Sequence, residues 1–313
     1  MRALLLITAL MLGGCAHPNS APTTLYDYRL TTAQGKELTL AQAARRVSDA
    51  DIILVGELHT HPAIHLLQAR LLAELSQGPR PLALSLEQFS RADQGVLDAY
   101  LAGQHGESAL IRDGHAWPNY PSDYRPLVEF AKAHHLPVIA ANAPKALVSC
   151  IGEQGPLWLE QLPPSRRAQL ARTLTLKEDD YQRAFMASQH HGDQDANARR
   201  FAAQTAWDDT MAESMVAFLA RHPGRRLMHI AGNFHVQGGL GLASRIAARN
   251  PALTLALITP VTDAKMAPFG RPADVEIHVA PLPERWKSRE EMKQEMASLQ
   301  SARARDCRRW LQP

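Results

Sequence analysis

The stretch Asp51-Ile-Ile-Leu-Val-Gly-Glu-Leu-His-Thr-His-Pro62 contains the clearest structural pattern in the chain. Four consecutive apolar residues at 52–55 are typical of a strand that is buried on both faces. Glu57 and His59 follow at its carboxyl end, and a helix is predicted over 63–76, directly after a proline. A strand that leads into a helix through a glycine corner predicts a βα unit with polar side chains at the sheet edge.

Further apolar segments predict buried strands at 81–86, 136–141, 226–231, 253–258 and 274–279. Apolar residues at three- and four-residue spacing predict helices at 63–76, 92–101, 123–134 and 236–249. This alternation predicts an α/β fold, a mainly parallel β-sheet flanked by helices. Residues 163–222 carry no strand pattern, so an inserted α-helical subdomain is predicted at about 160–222, covering or bordering the site.

The N-terminus has the pattern of an export signal. Met1 and Arg2 precede the apolar run 3–12, which is too short to span a bilayer. The run ends in Leu12-Gly13-Gly14-Cys15, which resembles a bacterial lipobox, so residues 1–15 are predicted to be a lipoprotein signal peptide. Cys15 would carry the lipid anchor; an ordinary signal peptide with an incidental cysteine is the alternative. Ala16, rather than aspartate, favours anchoring in the outer membrane of a bacterial envelope.

The remaining chain divides by composition into a tether, a folded part and a tail. Residues 16–24 are small, polar and proline-containing and predict a flexible tether. Residues 25–285 are predicted to form the folded α/β domain, and 286–313 a charged C-terminal tail. The net charge is only +3 with both signs interspersed, which argues against a nucleic-acid partner.

Two cysteines besides the predicted lipid anchor are present, Cys150 and Cys307. In an oxidising envelope they could pair, and two free thiols are equally consistent with the sequence. The sequence prediction is that they form no disulfide essential to folding.

Polar residues of the same kinds follow three predicted strands. Glu57 and His59 follow the first, Glu87 the second, and His235 the strand at 226–231. The carboxyl ends of parallel strands share one edge, so these four side chains are predicted to converge. Such a group could bind a divalent metal, Mn or Zn, or act as a metal-free acid/base set around a water. A structural role in ion pairs is the alternative for each residue alone, and is less favoured for all four together.

Several segments together resemble the ChaN family of haem-binding, iron-regulated lipoproteins in the haem-binding uptake/Tiki superfamily. They occur in the family's order between about 25 and 279: LVGELHTHP (54–62), LEQF (86–89), NYPSDYRPL (119–127), AANAP (140–144), WDDTMAE (207–213) and AGNFH (231–235). The resemblance implies an α/β sheet with a helical insertion, a dimer that encloses haem between subunits, and a tyrosine ligand to the iron. Tiki-type metalloproteases and erythromycin esterases use a similar Glu/His group.

The resemblance does not by itself identify the tyrosine. Tyr181, in the predicted helical insertion, is our first choice, Tyr120 and Tyr124 are the next candidates, and a buried core tyrosine is the alternative for each. An anionic tyrosinate oxygen would stabilise ferric haem. The Cys-x-x-Cys-His attachment sequence is absent, which excludes covalent haem attachment of that kind.

Three further residues are candidates for haem contacts. Arg125 is a candidate partner for a haem propionate or a site carboxylate, with a surface ion pair as the alternative. His190 and His191 could orient the ligand or supply a second contact, and solvated histidines are the alternative.

Two functions are therefore predicted. The first is an outer-membrane lipoprotein that binds haem, dimerises on it and supports iron uptake, with an outer-membrane haem or iron receptor as a further partner. The second is a Tiki-type metal-dependent hydrolase that uses Glu57, His59, Glu87 and His235. The sequence has no HExxH and no Gly-x-Ser-x-Gly motif, which weakens the metalloprotease and serine-hydrolase classes.

Overall fold

The structure is a computed structural model that describes residues 21–188, 193–261, 270–301 and 306–312. The predicted signal peptide with Cys15, and the pair His190 and His191, lie outside the described residues. No helix in the described ranges is both long and apolar enough to cross a membrane.

The described residues form one sheet of eight strands in the order β2-β1-β8-β7-β3-β6-β4-β5. The strands are β1 (Tyr28–Thr31), β2 (Glu37–Leu38), β3 (Ile52–Glu57), β4 (Leu82–Ser90), β5 (Val138–Asn142), β6 (Arg226–Gly232), β7 (Leu255–Pro260) and β8 (Val275–Val279). β8, β7, β3, β6, β4 and β5 run parallel, while β1 pairs antiparallel with β8 and with β2. The predicted mainly parallel sheet is confirmed. The β1–β2 hairpin was not predicted, because both strands are short and partly exposed.

Twelve α-helices lie between and after these strands in the described residues. They are α1 (Leu40–Val47), α2 (Pro62–Ser76), α3 (Gln94–Leu101), α4 (Glu107–Asp113), α5 (Arg125–Ala133), α6 (Lys145–Gln154), α7 (Pro164–Arg167), α8 (Asp180–Ser188), α9 (Gln194–Arg221), α10 (Asn233–Val236), α11 (Leu242–Arg249) and α12 (Arg289–Ser301). α2 begins at a proline, where a missing backbone N–H costs nothing. The predicted helix over 123–134 corresponds to α5, and its first two residues belong instead to a π-helical turn formed by Tyr120–Tyr124.

The central strand β3 is buried on both faces, as its apolar run predicts. Ile53 and Val55 pack into a cluster with α1, α2 and α5, and Ile52 and Leu54 pack on the other face against α9 and α11. Met211, in the second half of α9, belongs to this second cluster. The predicted helical region therefore contains α7, α8 and α9, and part of α9 forms a layer of the main fold.

The strand order brings the predicted polar residues to one place. β3 and β4 both pair with β6, so β6 lies between them. Glu57 is level with Gly232 in the β3–β6 register, and Glu87 directly follows Leu86, the last residue of β4 that pairs with β6. The carboxyl ends of these three neighbouring strands form the edge at which a site is expected.

The C-terminal segment is tied to the fold by a disulfide between Cys150 of α6 and Cys307, with Cα atoms 5.7 Å apart. The sequence left this pairing open, because spacing alone cannot show whether two Cα atoms approach each other. The sequence prediction that the cysteines form no disulfide essential to folding is revised, because the bond closes a loop of 157 residues and is expected to contribute to stability. Cys150 lies in a third apolar cluster with Trp158, and Trp310 packs against the same cluster.

Candidate functional site

The four strand-end residues form two pairs: His59 is hydrogen-bonded to Glu57, and His235 lies within ion-pair distance of Glu87. Gly232 lies between the two pairs and close to both. A Cβ atom there would lie 2.9 Å from His59 Nε2 and 3.7 Å from Glu87 Oε2. The Gly232 backbone N–H donates to Glu87 Oε2 at 2.7 Å. A side chain at this position would therefore displace the His59 ring.

Glu57 is 1% exposed, and both of its carboxylate oxygens accept hydrogen bonds. Oε1 accepts from His59 Nδ1 at 2.8 Å, from the Tyr124 hydroxyl at 2.6 Å and from Gln88 Nε2 at 3.1 Å. Oε2 accepts from Gln68 Nε2 at 2.8 Å. These donors compensate the cost of burying a charged carboxylate.

The protonation of this first pair follows from its contacts. Burial alone would raise the pKa of Glu57, but the hydrogen bond from His59 and the charges of His65 and His59 outweigh it, so this pKa lies below its usual value. Burial opposes protonation of His59, yet the bond to Glu57 raises the His59 pKa above its usual value. Burial, together with the Glu57 charge, also keeps the pKa of the Tyr124 hydroxyl well above 10. Tyr124 therefore remains a neutral donor.

The second pair extends into α9. His235 Nδ1 lies 2.8 Å from Asp208 Oδ1, and His235 Nε2 lies 3.6 Å from Glu87 Oε1. Burial disfavours the charged imidazole, but the charges of Asp208 and Glu87 outweigh it and raise the pKa of His235 to about 9. At neutral pH His235 is therefore a buried cation between two carboxylates.

Asp208 also joins this pair to Tyr181. The Tyr181 hydroxyl donates to Asp208 Oδ2 at 2.7 Å and accepts from Gln204 Nε2 at 3.1 Å. Its ring packs on Phe201 and Phe234, with ring centroids 5.9 and 5.5 Å away. Tyr181 is fully buried, and burial together with the Asp208 charge raises its pKa well above 10.

The remaining tyrosine and arginine candidates lie elsewhere. Tyr120 is fully buried in the first apolar cluster, and its hydroxyl has no hydrogen-bond partner among the described residues. Tyr124 belongs to the Glu57 network described above. Arg125 Nη2 donates to Glu107 Oε2 at 3.1 Å, which corresponds to the surface ion pair that was the alternative for this residue.

The structure does not support the Mn or Zn site. No group of three or more His, Cys, Asp or Glu side chains among the described residues is arranged to hold a metal ion. Glu57 and Glu87 are neutralised instead by imidazoles and by neutral hydrogen-bond donors.

Sequence reasoning missed the partners that hold the cluster, namely Gln68, Gln88, Gln204 and Asp208. Asp208 belongs to the WDDTMAE segment, and Gln88 to LEQF, so both lie in quoted motifs. The side-chain direction of a helical residue such as Gln68 or Asp208 depends on how its helix is rotated against the sheet. That rotation is not visible in a motif.

His59 is the most exposed of the four strand-end residues. Its side chain is 46% exposed, whereas the side chain of Glu57 is fully buried. The His59 ring contacts Trp117 edge to face, at a centroid distance of 5.2 Å. The cluster can therefore hold and exchange protons at His59, while the Glu87 and His235 pair is enclosed.

Residues 43–246 match the family model described as haem-binding uptake, Tiki superfamily, ChaN. Because the match spans more than half of the chain, the chain belongs to this family. Comparison with curated proteins finds no match.

Solved structures support the fold. The structure titled "Cofacial heme binding to ChaN of Campylobacter jejuni" matches with a TM-score of 0.60 at 13% identity, covering 82% of this chain and 98% of that chain. An erythromycin esterase mutant in its open conformation matches with a TM-score of 0.44 at 14% identity, covering 87% of each chain. The first match shows a shared fold; the second is too distant to carry an argument.

Proposed function

We propose that this chain binds haem and serves haem or iron uptake. The membership of residues 43–246 in a haem-binding uptake family is the observation that carries the proposal. The likeness of the fold to the ChaN structure from Campylobacter jejuni supports it. The Tiki-type hydrolase is not favoured, because these findings support haem binding and the described residues contain no metal-holding group.

The residues around Tyr181 have the chemical character that a tyrosine ligand to haem iron needs. Ferric haem supplies an iron that accepts an anionic phenolic oxygen. Asp208 Oδ2, 2.7 Å from the Tyr181 hydroxyl, is in place to take the phenolic proton. Phe185, Phe201 and Phe234 surround the same region and offer flat apolar surfaces to a porphyrin.

Because Tyr181 is fully buried, its hydroxyl can reach haem iron only if neighbouring residues move. The C-terminal part of α8, which carries Phe185, must move away from Phe201 and Phe234 to admit a porphyrin. Tyr181, in the first turn of α8, keeps its place beside Arg245 of α11, because Asp179, directly before α8, accepts a hydrogen bond from Arg245. We propose that a second copy of this chain completes the haem site, as the family resemblance implies.

A hemin titration tests the ligand. We expect the chain without residues 1–15 to shift the Soret band of hemin, and Tyr181→Phe to remove the ferric tyrosinate spectrum. Tyr120→Phe is the matched control, because it also removes a buried hydroxyl but leaves the Asp208 network unchanged. Loss of the spectrum in Tyr120→Phe but not in Tyr181→Phe would show that the assignment is wrong. Size-exclusion chromatography with and without hemin tests the dimer.

We also propose that Cys15 carries a lipid that anchors the chain in the outer membrane, where a haem or iron receptor would be its partner. The support is the sequence 12–16 alone. Cys15→Ser is expected to release the protein into the periplasmic fraction, because one acyl-bearing residue is the proposed anchor. A variant that still sediments with outer membranes after a salt wash would contradict this.

A further inference from the structure

Arg245 of α11 is a buried cation with unused donors. It is 1% exposed. Its Nη1 donates to Asp179 Oδ2 at 3.0 Å, to the Leu240 carbonyl at 3.2 Å and to Ser244 Oγ at 2.7 Å. Its Nε and Nη2 have no hydrogen-bond partner among the described residues.

The two unpaired nitrogen atoms of buried Arg245 need an explanation. A buried donor without a partner is costly, and a guanidinium stays charged in proteins. Nε and Nη2 form one edge of the guanidinium, and their two N–H bonds run parallel, which matches the two oxygens of a carboxylate. Asp179 does not use this edge, because it accepts from Nη1.

The unused edge lies beside the proposed haem ligand. The Arg245 guanidinium is positioned over the Tyr181 ring, 4.8 Å from its centroid. Phe234 packs on the same tyrosine ring at 5.5 Å. A porphyrin held by Tyr181 would therefore have Arg245 within reach of its periphery, where its carboxylates lie.

We propose that the Nε and Nη2 edge of Arg245 binds a carboxylate of the ligand, so that the site selects tetrapyrroles with free propionates. This inference rests on the proposed haem function and assigns a role to a residue that sequence reasoning did not identify. Arg125, the propionate candidate from the sequence, is instead paired with Glu107 at the surface.

Blocking the carboxylates tests the inference directly. Hemin and hemin dimethyl ester carry the same iron and ring, and only hemin has free propionates. We expect the wild-type chain without residues 1–15 to bind hemin about tenfold or more tightly than the diester, because hydrogen bonds to charged groups are the strong ones. Arg245→Gln should lower hemin affinity and leave diester affinity unchanged, so that the preference disappears.

The matched control is Arg125→Gln, which removes a guanidinium already paired with Glu107 and should keep the full preference for hemin. Equal loss of both ligands in Arg245→Gln would overturn the inference, because it would indicate a purely structural role. Equal wild-type affinity for hemin and its diester would also overturn it, with no need for a folded variant. Failure of the wild type to shift either Soret band would instead refute the haem function itself, and the inference with it.

Discussion

His235 should make the stability of this protein fall as the pH rises above neutrality. Its pKa is raised from 6.5 to about 9 in the folded state, since Asp208 and Glu87 favour the cation despite burial. A raised pKa means that the folded protein binds the proton more tightly than the unfolded chain does. The resulting stabilisation is fully present below pH 6.5 and is lost as the pH rises through about 9.

The size of the effect follows from the shift. The difference between about 9 and 6.5 is about 2.5 pKa units, and each unit corresponds to roughly 1.4 kcal/mol. The product is an upper value of about 3–4 kcal/mol in the free energy of unfolding. Because the His235 side chain is only 8% exposed, solvent screening reduces this value little.

Urea unfolding at pH 6.5, 7.5 and 9 measures this directly in the wild type and in His235→Gln. The wild type should lose about 2–3 kcal/mol more than the variant across this range. His229→Gln is the matched control. His229 lies on β6 and is also buried, but its pKa is lowered to about 3, so its imidazole stays neutral at all three pH values. A constant difference between wild type and His235→Gln at all three pH values would refute the reasoning.

Two other predictions concern stability. Reducing the Cys150–Cys307 bond should lower the free energy of unfolding by about 3–5 kcal/mol, because it closes a loop of 157 residues; an unchanged urea midpoint in dithiothreitol would contradict this. Glu57→Gln should cost about 1–3 kcal/mol, because one amide cannot accept all the bonds of the carboxylate. Hemin affinity should survive that change, since Tyr181 does not contact Glu57, and its loss would show that haem binds at the sheet edge.

Much of the sheet could be predicted from the sequence. Strands buried on both faces have continuous apolar runs, so β3, β4, β5, β6, β7 and β8 were found to within a few residues. Their parallel order places polar residues at one edge, which is why Glu57, Glu87 and His235 could be brought together without sequence proximity. The hairpin β1–β2 lacks such a run, and α6 and α4 were not recognised.

The partners of the site could not be predicted in the same way. Asp208 and Gln68 lie on helices, and their contacts depend on helix rotation and packing depth, which are set by the whole apolar core. The burial of Tyr181 has the same origin, since Phe201 and Phe234 come from separate elements. Pairing of Cys150 with Cys307 likewise depends on where the C-terminal segment returns to α6.

Asp208 links the proposed haem site to the sheet-edge cluster, because it accepts from Tyr181 through one oxygen and from His235 through the other. If Tyr181 gives its proton to Asp208 on binding ferric haem, the neutral acid no longer stabilises the His235 cation as a carboxylate does. Glu87 alone would then favour the cation, so the His235 pKa would lie below about 9 and the cluster would hold its proton less tightly. Under the proposed Tyr181 ligation, haem binding and the protonation of the cluster would therefore be coupled through one carboxylate, and binding near neutral pH should strengthen as the pH rises.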